Sequence, residues 1–410
     1  MSRLNWPGAS TLPQLPFRRL FRPIRREAPA GAHIVTAYTD GQVTLRSNRA
    51  KIGYHEAADT STYNGVRRGD FVVHGLDIMR GSVGVSDSDG VISPVCIVCE
   101  PIGPIEPRFA AYAMRLQAAS DFPRALARGV REGGADFRRW ETLAELPLPV
   151  PSLQVQHAVV GYLDRETAQI DAFIAKNKEL IALLTDHRST VIDRLLSDSM
   201  QQAEVVKLNW ELSFLNGDRG STYPSRDEFV ESGIPFINAG HLVDGSLSYD
   251  HMNYVSPEKF AEMGGAKLKE DDLLFCLRGS VGKLGLFSGR ETGALASSLV
   301  AMRPRTGRIS MPYLAAVLES KRAQDLIDLA QTGSAQPNLS VEQLSQFRFP
   351  MPNANKQLET ANRIAEIRQR STSSFATAHR AIELAKERRA ALISAAVTGK
   401  IDVGKEASAA

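Results

Sequence analysis

The sequence predicts an α+β chain built twice: two globular mixed α/β domains, each followed by one long helix, the two helices paired antiparallel as a coiled coil in a pseudo-two-fold dumbbell. Two observations carry this. Residues 143–197 line up without a gap on residues 344–398. Pro149 and Pro151 fall on Pro350 and Pro352, a shift of 350 − 149 = 201, and the same shift places Gln156 on Gln357, Leu183 on Leu384, Arg188 on Arg389 and Ile192 on Ile393. Punctuation and seam residues are what a duplicated unit keeps while its surface drifts. The second observation is that each copy holds a run suited to a helix longer than a compact domain ordinarily uses.

A chain of 410 residues with 43% hydrophobic and 23% charged content has material for more than one core. Residues 1–10 lack an apolar signal region, and no run approaches the roughly 18 apolar residues of a membrane helix, so a cytoplasmic protein without a membrane partner is expected. Three cysteines argue against a disulfide framework. Cys96 and Cys99 form a C-x-x-C inside an apolar run, where a strand would point them to opposite faces; buried core is the reading, and no metal site is expected. The net charge of +3 neither demands nor excludes nucleic acid, although the first fifty residues are locally basic.

Taken in order, residues 1–142 form the first domain. Runs at 69–73 and 91–98 read as strands between Gly and Asp turns, and 109–119 as a helix. Residues 143–198 hold the first long helix, 199–343 the second domain, 344–403 the second long helix and 404–410 a tail. The second domain repeats the order of the first: Asp40-Gly41 is answered by Asp244-Gly245, and Gly69-Asp70-Phe71-Val72 by Asp271-Asp272-Leu273-Leu274. Arg80-Gly81-Ser82-Val83-Gly84 recurs letter for letter at Arg278-Gly279-Ser280-Val281-Gly282.

After each Pro-x-Pro stands a residue suited to cap a helix, Ser152 or Asn353. Apolar residues then recur at spacings of three and four: Leu163, Ile170, Ile174, Ile181, Leu184, Val191 and Leu195, with Asn177 and Arg188 in the same stripe. The shifted stripe is smaller: Ile364, Ser371, Phe375, Ile382, Ala385, Leu392 and Ala396. Large residues facing small ones interdigitate, so the helices are expected to pair. Because one helix enters the second domain and the other leaves it, pairing makes them antiparallel. A helix of about 45 residues spans roughly 65–70 Å at ~1.5 Å per residue, close to two turns of B-DNA at about 34–36 Å each. A split target with an unread spacer is the expectation.

The duplicated Arg-Gly-Ser-Val-Gly turn is open to three readings: scaffold, phosphate contact through Arg80, Ser82, Arg278 and Ser280, or base readout. Two domains that read different sequences would not use one identical segment for specificity. Gly279 to Lys283 faintly resembles a phosphate loop, but Leu284 stands where Ser or Thr is required, so nucleotide binding is rejected and Lys283 joins the candidate DNA contacts. Asn238, His241, Gln331, Gln336 and Asn338 carry groups that read bases or bind phosphate, with solvated loop residues as the plainer reading. Arg46, Arg49 and Lys51 follow the Asp40-Gly41 turn and lie on DNA or on a solvated face. Arg188 and Arg389, on the seam, pair with acidic residues or reach a partner. The histidines have no metal spacing, and methyltransferase, nuclease and serine-elbow motifs are absent from the sequence.

Leu146-Pro147-Leu148-Pro149 through Gln156, its counterpart 347–357, the ending Arg388-Arg389-Ala390-Ala391-Leu392-Ile393 to Lys400, and the run Ile234-Pro235-Phe236-Ile237-Asn238 to Lys283 resemble the specificity subunits of type I restriction-modification systems. The likeness covers nearly the whole chain and is weakest at 1–26 and 133–140, where Gly333 to Ser340 of the second domain finds no clear match. The resemblance implies a non-catalytic DNA-reading subunit with two target recognition domains. It implies two methyltransferase (modification) subunits docked on the helices and ATP-driven restriction subunits recruited to the assembly. This chain then carries no cofactor, and S-adenosylmethionine, ATP and magnesium belong to the partners. The competing reading is a coiled-coil scaffold whose end domains bind proteins.

Overall fold

Proline has no amide hydrogen to give a ladder, and the proline-bearing strand before each long helix is paired on one side only. Pro147–Pro149 pairs antiparallel with Gln14–Pro16, and Arg348–Met351 with Glu204–Lys207, each as a two-stranded ladder. The computed structural model describes residues 6–9, 11–28, 31–49, 62–120, 122–126, 130–131, 134–243, 245–288, 291–331 and 337–403. The chain groups into two units, Met1–Asn177 with Arg380–Ala410, and Lys178–His379, so each unit takes part of both long helices. The tail at 404–410 lies outside the described residues.

The first unit is organised by a four-stranded antiparallel sheet in the order Phe21–Pro23, Cys96–Pro101, Phe71–His74, Val83–Val85. Side chains alternate along a strand, and the two faces build separate cores. Phe71, Val73 and Cys99 pack with Phe17, Phe21 and the helix Pro107–Ala119; Val72, Cys96 and Val98 pack with Val35, Val43 and Ile92. Cys96 and Cys99 thus face opposite sides, as strand geometry requires. The apolar run at 91–98 is not one strand. Gly90–Ile92 and Cys96–Pro101 are separated by a turn at Pro94, whose missing amide hydrogen ends the first ladder.

The second unit repeats the sheet as Leu212–Asn216, Leu299–Pro304, Leu273–Cys276, Leu284–Leu286. Leu273, Phe275, Val300 and Met302 pack under the helix Met311–Glu319, while Leu274, Cys276, Leu299 and Ala301 face a second core. A further four-stranded sheet, Phe229–Val230, Asn253–Val255, Ile234–Ile237, Ala294–Leu295, includes one parallel pairing.

The long helices are Leu153–Ser199 and Ala354–Val397. Each starts where its cap was expected: Ser152 Oγ accepts from Val155 N at 3.4 Å and Asn353 Oδ1 from Lys356 N at 3.0 Å. Within the first unit Leu163 shares a core with Leu392, Ala396 and Val397, and Arg389 pairs with Asp171 at 3.1 Å. Within the second, Ile192 and Leu196 share a core with Ala361 and Ile364, and Arg188 lies 5.1 Å over the Phe375 ring. In both units later residues of one helix meet earlier residues of the other, so the pairing is antiparallel. Leu163, Ile170, Ile364 and Ile382 are buried; Ile174, Ile181, Leu184, Phe375 and Leu392 are half-buried. Near the end of the first helix Val191 and Leu195 are half-buried, and their neighbours Ile192 and Leu196, outside the expected stripe, are buried. An α-helix drifts by ~20° per heptad against a 3.5-residue repeat, and over four heptads that moves the buried face to the next residue.

Candidate nucleic-acid interface

The turn that leads into the central strand is seated by a buried aspartate in each unit. Gly69 and Asp271 take positive φ, +95° and +68°. The next residues, Asp70 and Asp272, accept from Arg67 N at 2.7 Å and Lys269 N at 2.8 Å. Each carboxylate also pairs with an arginine, Arg26 in the first unit and Arg303 at 2.7 Å in the second. These arginines sit at non-equivalent positions, so the sequence repeat does not show them.

This ladder decides how the duplicated Arg-Gly-Ser-Val-Gly must be read. Val72 pairs with Gly84 and Leu274 with Gly285, so the structural counterpart of Gly84 is Gly285, not Gly282. The reason is steric. A Cβ on Gly84 would stand 2.1 Å from Gly41 O, and one on Gly285 2.7 Å from Ser246 O, because the neighbouring hairpin crosses there. The letter-for-letter repeat is therefore three residues out of structural register.

Burial follows the register. Ser82 is buried, its N–H donating to Asp77 O at 3.2 Å, which removes it as a phosphate contact; Arg80 stays exposed and pairs with Asp77 at 3.7 Å. In the second unit Arg278, Ser280 and Lys283 are all exposed on the turn between Leu273–Cys276 and Leu284–Leu286, with Gly279 at φ +78° in open space. The returning chain closes on this turn: Leu339 N donates to Leu277 O at 2.9 Å, and Arg278 and Asn338 form an isolated bridge. Arg278, Ser280, Lys283 and Asn338 thus make one donor-rich edge.

The other candidates go elsewhere. Asn238 and His241 cap a short 3-10 helix reciprocally: Asn238 Oδ1 accepts from Gly240 N at 2.8 Å and His241 Nδ1 from Asn238 N at 3.1 Å. His241 is buried and burial lowers its pKa, so it serves the fold rather than a ligand. Gln331 ends the helix Lys321–Ala330 with its amide on Asp328 at 3.1 Å. Lys51 and Gln336 lie outside the described residues.

Arg46 is half-buried after the hairpin of Val35–Ala37 and Val43–Leu45, and Arg49 pairs with Asp40 at 2.8 Å while lying 4.3 Å over Tyr38. Arg49 borders a cavity of about 920 Å³ within the first unit, where Arg108 pairs with Asp164 and Arg389 with Asp171. Arg115, which the sequence reading did not single out, stands beneath Gly41, and its burial and the nearby Arg389 lower its pKa. In the second unit the Glu319–Arg368 pair fills the equivalent place beneath Gly245, and the cavity there is about 360 Å³. Among the described residues no group of His, Cys, Asp and Glu is placed to hold a metal ion, and no helix is long and apolar enough to cross a membrane.

The first unit has its own returning segment. Phe137 N donates to Gly75 O at 2.8 Å, the same bond as Leu339 N to Leu277 O. A shift of 272 − 70 = 202 relates the seating aspartates, the central strands and this bond, and it places Asp136 at the position of Asn338. No sequence likeness marks this segment; only the backbone bond finds it.

A sheet-and-helix unit built twice, with a long helix following each, is the frame on which these candidate contacts are placed. Residues 204–377 match the family model for the type I restriction modification DNA specificity domain. The chain is similar to the type I restriction enzyme EcoBI specificity subunit of Escherichia coli, 20% identical over 247 residues, which is 55% of this chain and 52% of that protein. It is also similar to the EcoKI specificity subunit of Escherichia coli (strain K12), 22% identical over 235 residues, 54% of this chain and 50% of that protein. The matches span about half the length of these relatives. A chain in a solved structure concerned with complex assembly and conformational transition of the type I R-M system matches with a TM-score of 0.64 over 95% of this chain and 99% of that one, at 15% identity; the fold is shared.

Proposed function

We propose that this chain is the non-catalytic DNA sequence-specificity subunit of a type I restriction-modification complex, reading a bipartite target with one domain per half-site. Its paired helices would set the unread spacer. The observation that carries this reading is that one sheet-and-helix frame with the same returning backbone bond is built twice, with different residues at equivalent positions such as Asp136 and Asn338. A duplicated scaffold with diverged contact residues suits a target whose two halves share backbone geometry but not bases. The similarity to the EcoBI and EcoKI specificity subunits supports it.

The expected partners are double-stranded DNA, two modification subunits and restriction subunits, in the cytoplasm. Those subunits, not this chain, would use S-adenosylmethionine, ATP and magnesium. The test is single-molecule methylome sequencing of a restriction-deficient host that carries the neighbouring methyltransferase gene, with and without this gene. One split, asymmetric methylated motif that vanishes with the gene is the expected result. An unchanged methylome with both proteins expressed would sink the reading and favour a scaffold that binds proteins.

A further inference from the structure

A glycine in each unit opens a slot for charge beneath a hairpin. Gly41 and Gly245 both take positive φ, +90° and +75°. A Cβ on Gly41 would stand 2.4 Å from Arg115 Nη1, and one on Gly245 2.7 Å from Glu319 Oε1 and 2.9 Å from Arg368 Nη1. The shift of 204 that relates these glycines also relates Glu106 to Ser310, whose N–H groups donate to Gln156 and Gln357, and it places Arg115 on Glu319. The long-helix shift of 201 places Thr167 on Arg368. Thr167 is buried, its hydroxyl donating to Leu163 O at 2.6 Å. The second slot therefore holds an ion pair, Glu319 with Arg368, and the first holds one guanidinium. Among the described residues Arg115 makes no hydrogen bond or ion pair; the nearby Asp40 and Asp171 are engaged by Arg49 at 2.8 Å and Arg389 at 3.1 Å.

The slot of the first unit opens on the cleft of about 920 Å³ and on a neighbouring cavity of about 350 Å³ walled in part by Met79, Leu116 and Ile393. Tyr112, Arg115, Lys386 and Arg389 line both. Of the three cations on this shared wall, Arg389 is matched by Asp171, Lys386 by Glu383 through an exposed pair that water screens, and Arg115 is unmatched. We propose that this cleft is a binding site for a phosphate ester, anchored by Arg115 and flanked by Lys386 and Arg389. The bound oxyanion would give the first slot the negative charge that Glu319 gives the second. A guanidinium offers forked donors that match phosphate oxygens, and the flanking cations suit a dianion better than a single carboxylate. The cleft is far larger than a bare ion needs, and its apolar neighbour has room for the organic group of an ester. The site is built once per chain, because the second slot carries its own pair and its cavity is about 360 Å³. The proposal is independent of the DNA-reading function.

The test is calorimetric titration of the full chain with inorganic phosphate, phenyl phosphate and succinate. Both phosphates are expected to bind saturably at one site per chain, and Arg115→Met, which keeps the packing of the stem, to weaken them by ~10-fold or more. Arg115→Glu combined with Thr167→Arg installs the ion pair of the second unit in the first; it is expected to lose phosphate binding to the same degree while keeping the wild-type melting temperature. With phosphate binding in hand, a duplex-binding salt slope that falls in Arg115→Met assigns the phosphate to a nucleic-acid backbone, and an unchanged slope assigns it to a free ester. No saturable binding of either phosphate, or equal affinity in the wild type and both variants, overturns the proposal. Succinate binding as tightly as phosphate also overturns it, in favour of an acidic protein segment as the occupant.

Discussion

Gln156 and Gln357 make the same three hydrogen bonds at the roots of the two long helices. Gln156 accepts from Glu106 N at 2.8 Å and donates to Pro104 O at 3.0 Å and Pro151 O at 2.8 Å. Gln357 accepts from Ser310 N at 2.9 Å and donates to Arg308 O at 2.9 Å and Pro352 O at 2.7 Å. Both side chains are fully buried. Each amide ties the helix start to the loop before the domain's own helix, so the direction in which the long helix leaves its unit depends on one side chain. Gln156→Leu and Gln357→Leu are each expected to destabilise the protein by about 2–3 kcal/mol, since buried backbone groups lose their partners. Chemical denaturation of the variants measures this, and a cost below about 0.5 kcal/mol would refute the tie.

Gly84→Ala is expected to cost about 1–3 kcal/mol through overpacking, because the new methyl meets a backbone carbonyl that has no room to retreat. Gly285→Ala should behave alike. At Gly282 the nearest atom is the end of the Gln324 side chain at 3.1 Å, so only the strain of φ +89° remains, about 1–2 kcal/mol. Thermal melts of the three variants would separate the structural register from the letter match.

The exposed edge of the second unit should dominate the salt dependence of DNA binding. Arg278→Ala and Lys283→Ala are each expected to lower the slope of log K against log salt by about 0.9, the release of one counterion per phosphate contact. Arg80→Ala should lower it less, because Asp77 already neutralises that arginine in part. Ser82→Ala should leave it unchanged, since that hydroxyl is buried. Binding titrations across a salt series read all four.

His241 is held neutral by burial, its Nδ1 accepting a backbone N–H. A folded pKa below the unfolded value means the unfolded chain binds the proton more readily. The stability contributed is therefore complete above about pH 6.5 and falls as pH drops through the folded pKa. Wild-type melting temperature should decline on acidification from pH 7 to pH 5, and His241→Gln should remove part of that decline at some cost in stability at pH 7.

All three cysteines are buried, and burial pushes the Cys96 thiol up to about 12 and the Cys99 thiol higher still. With so little thiolate at neutral pH, alkylation should wait for unfolding. Labelling of native protein at pH 8 within minutes would contradict the opposite-face packing.

Local chemistry was legible where the physical cause is local. Ser152 and Asn353 were readable as caps because a cap satisfies amides within one turn of itself. Leu163 and Ile364 were readable as seam because the period of the helix puts them there; the buried Ile192 beside Val191 fell outside the expected stripe because the drift of a real helix accumulates with length. Asn238 and His241 could not be told from ligand contacts, since an amide and an imidazole serve a cap as well as a base and only the neighbouring backbone decides.

The amino-acid sequence by itself determined the duplication, the two long helices, their caps and the antiparallel sense of their pairing, all of which follow from spacing along the chain. Tertiary structure alone decided which residues share an edge. Asn338 meets Arg278 and Phe137 meets Gly75 across 60 intervening positions or so, through backbone bonds that carry no side-chain signature. The same five letters end buried at Ser82 and exposed at Ser280 because solvent access belongs to the surrounding surface, and no short segment encodes it.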